Sequence, residues 1–246
     1  MKGPLTKGAR AYFQQLLELG ESEIVLDRTV ETVEPPSGRS GPSMYPPDRI
    51  IDAQPTDSLG VSRIEDLHAL IEACRKCSLG SSRTNIVPGE GNPHADLVCC
   101  GEAPGQTEDE TGRPFVGRSG QLLTDILKAI GIDRERDAFI LNTLKCRPPG
   151  NRTPEPLELN ACSPFLHRQI ELIGPKVILA LGRPAAQTLL QTTAPISELR
   201  GHVHRYRGIP LVVTYHPAAL LRNPKLKGDT LNDVRIVRRL LDGEPG

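Results

Sequence analysis

ADLVCCGEAPGQTEDETGRPFVGRSGQLLTDILKAIG, residues 95–131, reads as a buried strand, a glycine-rich loop and an amphipathic helix, in that order. Its strand, around Leu97–Cys100, is apolar without alternation, which suits a strand covered on both faces. From Gly101 the composition turns polar and glycine-rich, and from Gly120 the leucines and isoleucines recur at helical spacing. A buried strand running through a loop into a helix is the repeating unit of a parallel sheet.

The same unit recurs along the chain. AFILNTLKC (138–146), KVILALG (176–182) and IPLVVTYHP (209–217) read as further buried strands bounded by turn residues. PLELNACSPFLHRQIELI (156–173) and RPAAQTLLQTT (183–193) have helical spacing between them. The expectation is an α/β layered domain with helices on both faces of a parallel sheet. Ligands in such sheets sit at the carboxyl ends of the strands, and the unusual residues of this chain fall there.

The flanks differ from this body. Residues 1–30 include an amphipathic pattern (8–26, GARAYFQQLLELGESEIVL), which predicts a helix that docks on the body or contacts another protein. Residues 31–60 are dense in Pro, Gly and Ser and predict a disordered linker. Residues 1–60 carry 6 Lys/Arg and 9 Asp/Glu, which leaves 24 basic and 21 acidic residues in the body, so a net charge of zero hides an acidic tail and a basic body. Such balance argues against a histone-like coat and allows a local basic groove. The first residues lack the apolar core of a secretory leader and no stretch is long and apolar enough to span a membrane, so a cytoplasmic, monomeric protein is expected.

Six cysteines in a reducing compartment point to metal ligation before disulfides. Cys74 and Cys77 form a C-x2-C pair, Cys146 follows after 68 residues and Cys162 after a further 15. Four thiolates suit tetrahedral zinc or an iron–sulfur cluster, and spacing does not choose between them. Cys99 and Cys100 are neighbours in a strand, where side chains alternate faces, so they read as small core residues.

Three strand ends carry chemistry. Gly101, Gly105, Gly112, Gly117 and Gly120 let backbone approach a ligand closely, although the GxxxxGK[ST] of a phosphate-binding P-loop is missing. Asn142, at the end of the second strand, offers a donor and an acceptor, as reading a pyrimidine edge requires, or else caps a turn. His216 directly follows the last strand and acts on a ligand or caps the strand end. Arg200 to Lys227 hold six Lys/Arg, three His and no acidic residue, a basic face suited to phosphates.

GEAPG, GRPFVGRSG, KCRPPGNR and HPAALLR, in this order and with the four cysteines so placed, resemble the family 4 uracil-DNA glycosylases, the thermostable-type enzymes with a 4Fe–4S cluster. The likeness covers about residues 65–240 and leaves the first 60 aside. It implies a three-layer α/β/α domain, residues 61–246, around a four-stranded parallel sheet. By the same likeness Cys74, Cys77, Cys146 and Cys162 hold the cluster, and Phe115 stacks on a uracil flipped out of single- or double-stranded DNA. Gly101, Glu102 and Ala103 line the base site, Asn142 pairs with the uracil edge, and His216 hydrogen-bonds O2 as the leaving group gains charge. Arg118, Ser119, Ala218, Ala219 and Arg222 then hold phosphates or wedge the duplex.

Ala103 stands where the better-known family 1 enzymes have Asp. That leaves Glu102 and Glu108 to orient water or stabilise the cationic sugar, with Glu108 favoured and Asp109 weaker. A relative that traps uracil covalently through an inserted basic loop is disfavoured, because no insertion separates Cys146 from Cys162. A non-catalytic binding module has no need of Phe115, Asn142 and His216 together.

Overall fold

The computed structural model describes residues 59–244. The helix expected within residues 1–30, and all but the last two residues of the expected linker, lie outside them. Six strands form one sheet: β1 (Glu90–Gly91), β2 (Leu97–Gly101), β3 (Ala138–Asn142), β4 (Val177–Leu181), β5 (Val203–Tyr206) and β6 (Ile209–Thr214). Their order is β1-β3-β2-β4-β6-β5. The helices are α1 (Ile64–Glu72), α2 (Leu79–Ser82), α3 (Gln106–Thr111), α4 (Arg118–Ala129), α5 (Pro156–Ile173), α6 (Arg183–Leu190), α7 (Ile196–Leu199), α8 (Pro217–Arg222) and α9 (Lys227–Leu241).

The four expected strands are the parallel set β3-β2-β4-β6, and the strand count needs correcting from four to six. β1 and β5 add antiparallel edges. Neither edge has an apolar run to announce it, since each has only one neighbour and an exposed side. β5 returns into β6 through Arg207 and Gly208, both at positive φ (48° and 86°), the backbone of a tight hairpin without its usual Asn-Gly.

Alternation then sorts the core. Val98, Cys100, Phe139, Leu141, Ile178, Ala180 and Val213 face one layer, with Leu166 and Ile170 of α5 and Leu189 of α6. Leu97, Cys99, Ala138, Ile140, Leu179 and Val212 face the other, with Leu123 and Leu127 of α4 and Val234 and Val237 of α9. Burial of each such Leu, Ile or Val stabilises the domain by roughly 1.5–3 kcal/mol. Cys99 and Cys100 lie in opposite layers, fully buried, and burial pushes both thiols up to about 12. They are core residues, as their adjacency predicts.

α5 is well specified at both ends. Glu155 and Glu158 form a reciprocal capping box, Pro156 opens the first turn, and Gly174 closes the helix in the left-handed region at φ 59°. Leu67 and Ile71 of α1 pack against Phe165 of α5, which sets the segment after α1 beside the middle of α5. Neither α1 nor α9 was among the elements read from the sequence.

Candidate active site and cysteine cavity

A cleft of about 630 Å³ opens at the carboxyl ends of the parallel strands. β2 contributes Glu102 and Ala103 to its wall, β3 contributes Asn142, β4 leads into Gly182 and Arg183, and β6 into Tyr215 and His216. This is where a parallel sheet presents loops to a ligand.

Phe115 covers one side of the cleft, only 4% exposed, in the left-handed region at φ 51°. Its ring lies over Gly101, where a Cβ would come within 2.6 Å of Phe115 Cζ and 2.4 Å of Asn142 Oδ1. Glycine at position 101 therefore makes room for both groups at once. The Phe115 and His216 rings have centroids 5.5 Å apart and planes tilted by 33°. Glu108, buried in α3, accepts the backbone N–H groups of Val116 (3.0 Å) and Gly117 (2.9 Å) on one oxygen, Oε1. Asp109 is likewise engaged, accepting the N–H of Thr84 at 3.0 Å. Glu102 is half-buried on the cleft wall, and burial raises its carboxyl above the usual range against the opposing charge of Arg183.

Asn142 is 1% exposed, and its side-chain oxygen is buried without a hydrogen-bond partner. An unpaired buried acceptor costs on the order of 1–3 kcal/mol, so its presence on a cleft wall marks a place for a donor on a ligand. His216 is the N-cap of α8, and its Nδ1 accepts the N–H of Ala218 at 3.1 Å. Burial lowers its pKa to about 4, helped by Arg222 and opposed by Glu108. The ring is thus neutral at pH 7, and because Nδ1 is the acceptor, the proton resides on Nε2. The capping reading of this histidine is seen on Nδ1, which leaves Nε2–H available as a donor.

Around the mouth, Ser119, Ala218, Ala219 and the exposed Arg222 line the cleft. Arg118 is exposed at the first position of α4 but is not on the cleft wall. Arg152 lines the wall with its charge already matched by Glu158 at 2.6 Å, whereas Arg183 stands exposed at the end of β4.

Cys74, Cys77, Cys146 and Cys162 all line a second, small cavity between the segment after α1, the loop after β3, and α5. The four expected ligands are therefore brought together across 88 positions of sequence, from 74 to 162. Among the described residues no three His, Cys, Asp or Glu are grouped to hold a single metal ion. Arg83 places Nη1 3.1 Å from Cys146 Sγ and ties Nη2 to the carbonyl of Glu72. Burial pushes the Cys162 thiol up to about 11 and raises that of Cys146. Lys145 runs between the two sites: its side chain is 1% exposed, Nζ donates to the Asn142 carbonyl at 2.7 Å, and burial lowers its pKa to about 8.

The sequence reading missed Arg183 and Tyr215 on the cleft wall and the buried Lys145. Arg183 stands two residues after β4, and Tyr215 directly follows β6 and precedes His216, so treating every strand end alike would have found them. Tyr215 is held by Arg200, whose guanidinium lies 4.3 Å from the ring centre.

The strand ends of this α/β/α domain thus gather an aromatic ring, an unpaired amide oxygen and a neutral imidazole around one cleft. Residues 88–236 match the family model described as the uracil DNA glycosylase superfamily. The type-4 uracil-DNA glycosylase of Sulfurisphaera tokodaii is 45% identical over 186 residues, covering 72% of this chain and 84% of that protein. That of Pyrobaculum aerophilum is 46% identical over 179 residues, 70% and 91% of the two chains, and that of Archaeoglobus fulgidus is 44% identical over 186, 72% and 92%. The chain belongs to the uracil-DNA glycosylase superfamily and, within it, to the type-4 group.

Proposed function

We propose that this chain removes uracil from single- and double-stranded DNA by hydrolysing the N-glycosidic bond, leaving an abasic site. The observation that carries this reading is the buried, unpartnered Oδ1 of Asn142 beside Phe115 and His216. Uracil presents an N3–H donor flanked by two carbonyl acceptors. Asn142 Oδ1 accepts N3–H and its amide donates to O4; cytosine, with a bare N3 and a 4-amino group, presents the inverse pattern and would leave the buried amide mismatched. Phe115 stacks on the extruded base, and Gly101, Glu102 and Ala103 border it.

Bond cleavage leaves positive charge on the sugar and negative charge on uracil. Neutral His216 donates from Nε2 to uracil O2, a bond that strengthens as the anion forms. Glu108 has Oε2 left for orienting water, and Glu102 stands beside the sugar with its carboxylate. Arg118, Ser119, Ala218, Ala219 and Arg222 hold the phosphates, and residues 61–246 make up the catalytic domain.

Cys74, Cys77, Cys146 and Cys162, four soft thiol donors lining one cavity, are the residues that would hold a 4Fe–4S cluster. When bound, the cluster supplies a cross-link that staples the loop after β3 to α5 and the segment after α1. The activity is tested with a uracil-containing single-stranded oligonucleotide followed by alkaline cleavage. Strand scission at uracil and not at cytosine is expected, and an intact oligonucleotide would refute the assignment.

A further inference from the structure

The loop that carries Phe115 is held from two sides. Arg134 Nη2 donates to the carbonyl of Pro114 at 3.0 Å, and Nη1 donates to the carbonyl of Phe115 at 2.8 Å. On the next two residues the polarity reverses, and Glu108 Oε1 accepts the N–H groups of Val116 and Gly117. Two successive carbonyls thus meet a cation and the two following amides meet an anion, each bond charge-assisted.

The contact is specific in its surroundings. The Arg134 side chain is 15% exposed, its Nη1 also reaches Thr124 Oγ1 at 3.1 Å, and Glu90 lies 4.0 Å away to balance its charge. Phe115 itself is at φ 51°, which a residue with a side chain rarely adopts and keeps only when its neighbours impose it. Gly120 completes the arrangement, because a Cβ there would stand 1.9 Å from the Phe115 carbonyl oxygen that Arg134 grips. Arg134 comes from IDRERDA, a segment outside every strand-end motif.

We infer that Arg134 and Glu108 form a two-sided clamp that fixes the Phe115 ring in its stacking position, making Arg134 a positioning residue for base capture. This rests on the proposed stacking of Phe115 on uracil. An arginine that merely stabilised the domain would act whether or not the ring was present; a positioning arginine has nothing to position once the ring is gone.

The test is a double-mutant cycle under single-turnover conditions on a uracil-containing single-stranded oligonucleotide, with free uracil as a competing probe. Phe115→Ala is expected to raise the half-saturating oligonucleotide concentration and the uracil inhibition constant by roughly 5- to 100-fold. Arg134→Gln is expected to raise both by about tenfold, more than it lowers the maximal rate, as loss of a charged hydrogen-bond donor warrants. In the Phe115→Ala background the same change should add less than about twofold, because coupled residues do not add. Full additivity with a normal Phe115→Ala loss would overturn the clamp and leave the stacking proposal standing. No loss from Phe115→Ala would overturn stacking, and the clamp with it. If Arg134→Gln fails to accumulate as folded protein, Arg134→Lys carries the same cycle, keeping the cation beside Glu90 while giving up the two-pronged grip.

Discussion

The strand-end cleft and the cysteine cavity lie on either side of one short segment, Asn142 to Cys146, and they are built on opposite rules. In the cleft, polar atoms are left unpaired on purpose: Asn142 Oδ1 lacks a partner, and His216 uses Nδ1 for its helix and keeps Nε2–H free. In the cysteine cavity, four thiols are gathered from distant segments and the charges beside them are tied, the buried Lys145 to a carbonyl and the half-buried Arg83 to Cys146. The first arrangement is prepared for a ligand that arrives and leaves. The second, in the reading proposed above, suits a cluster that stays and would brace the backbone from which Asn142 projects.

This contrast can be broken most sharply at His216. If the cleft stabilises leaving-group charge, His216→Ala should slow single-turnover cleavage by about 10²–10³-fold, with a much smaller effect on affinity for uracil-containing DNA, since phosphate contacts persist. A wild-type rate would leave His216 as a helix cap alone. Next, Glu108→Gln keeps an oxygen for the Val116 and Gly117 amides while removing the negative charge. A loss of about 10²-fold in maximal rate with stacking affinity preserved would assign the charge to the water or sugar, and no loss would confine Glu108 to the loop. Asn142→Leu fills the same space without hydrogen bonds and should relax discrimination between uracil and cytosine competitors, read as the ratio of their inhibition constants.

Smaller effects sharpen the other side. If the cysteines hold a cluster that only staples the loops, Cys74→Ser should lower soluble yield and visible absorbance more than cleavage per folded molecule, which should fall by less than about threefold. Equal loss of activity in fully folded protein would put the cysteines in the chemistry. The smallest is a pH effect. His216 and His167 are both lowered to about 4 from an unfolded value of 6.5, so below 6.5 the unfolded chain binds protons that the folded one refuses. Stability should therefore hold above pH 6.5 and decline as pH falls toward 4, and His216→Ala should lose part of that slope in thermal unfolding.

Much of this was legible because burial writes itself plainly. The four parallel strands are unbroken apolar runs, since both faces are covered, and α5 carries its caps in sequence. β1 and β5 were silent: two residues with a glycine at φ 125°, and a polar VHRY, owe their strand state to a neighbour and not to their own composition. The pocket residues at three strand ends were visible as motifs, whereas Arg183 and Tyr215 look like ordinary surface residues until the sheet aligns them. Glu108 was visible as a carboxylate, but its grip on the Phe115 loop depends on a left-handed turn that no residue type announces. Arg134 lies among four charged neighbours in DRERD, and only tertiary contact distinguishes it from them.

The cleft draws on the ends of β2, β3, β4 and β6, and the last of these supplies His216 only after more than two hundred residues. A chain emerging from the ribosome would build its glycine-rich loop, its amide and its cysteine cavity well before the imidazole joins them. Parallel pairing across such separations is slow to close, because each strand must wait for a helix to bring the next one back. In chain order His216 is thus the last of the proposed base-site groups, and a chain that stops short of it also lacks β6, the strand that completes the parallel set.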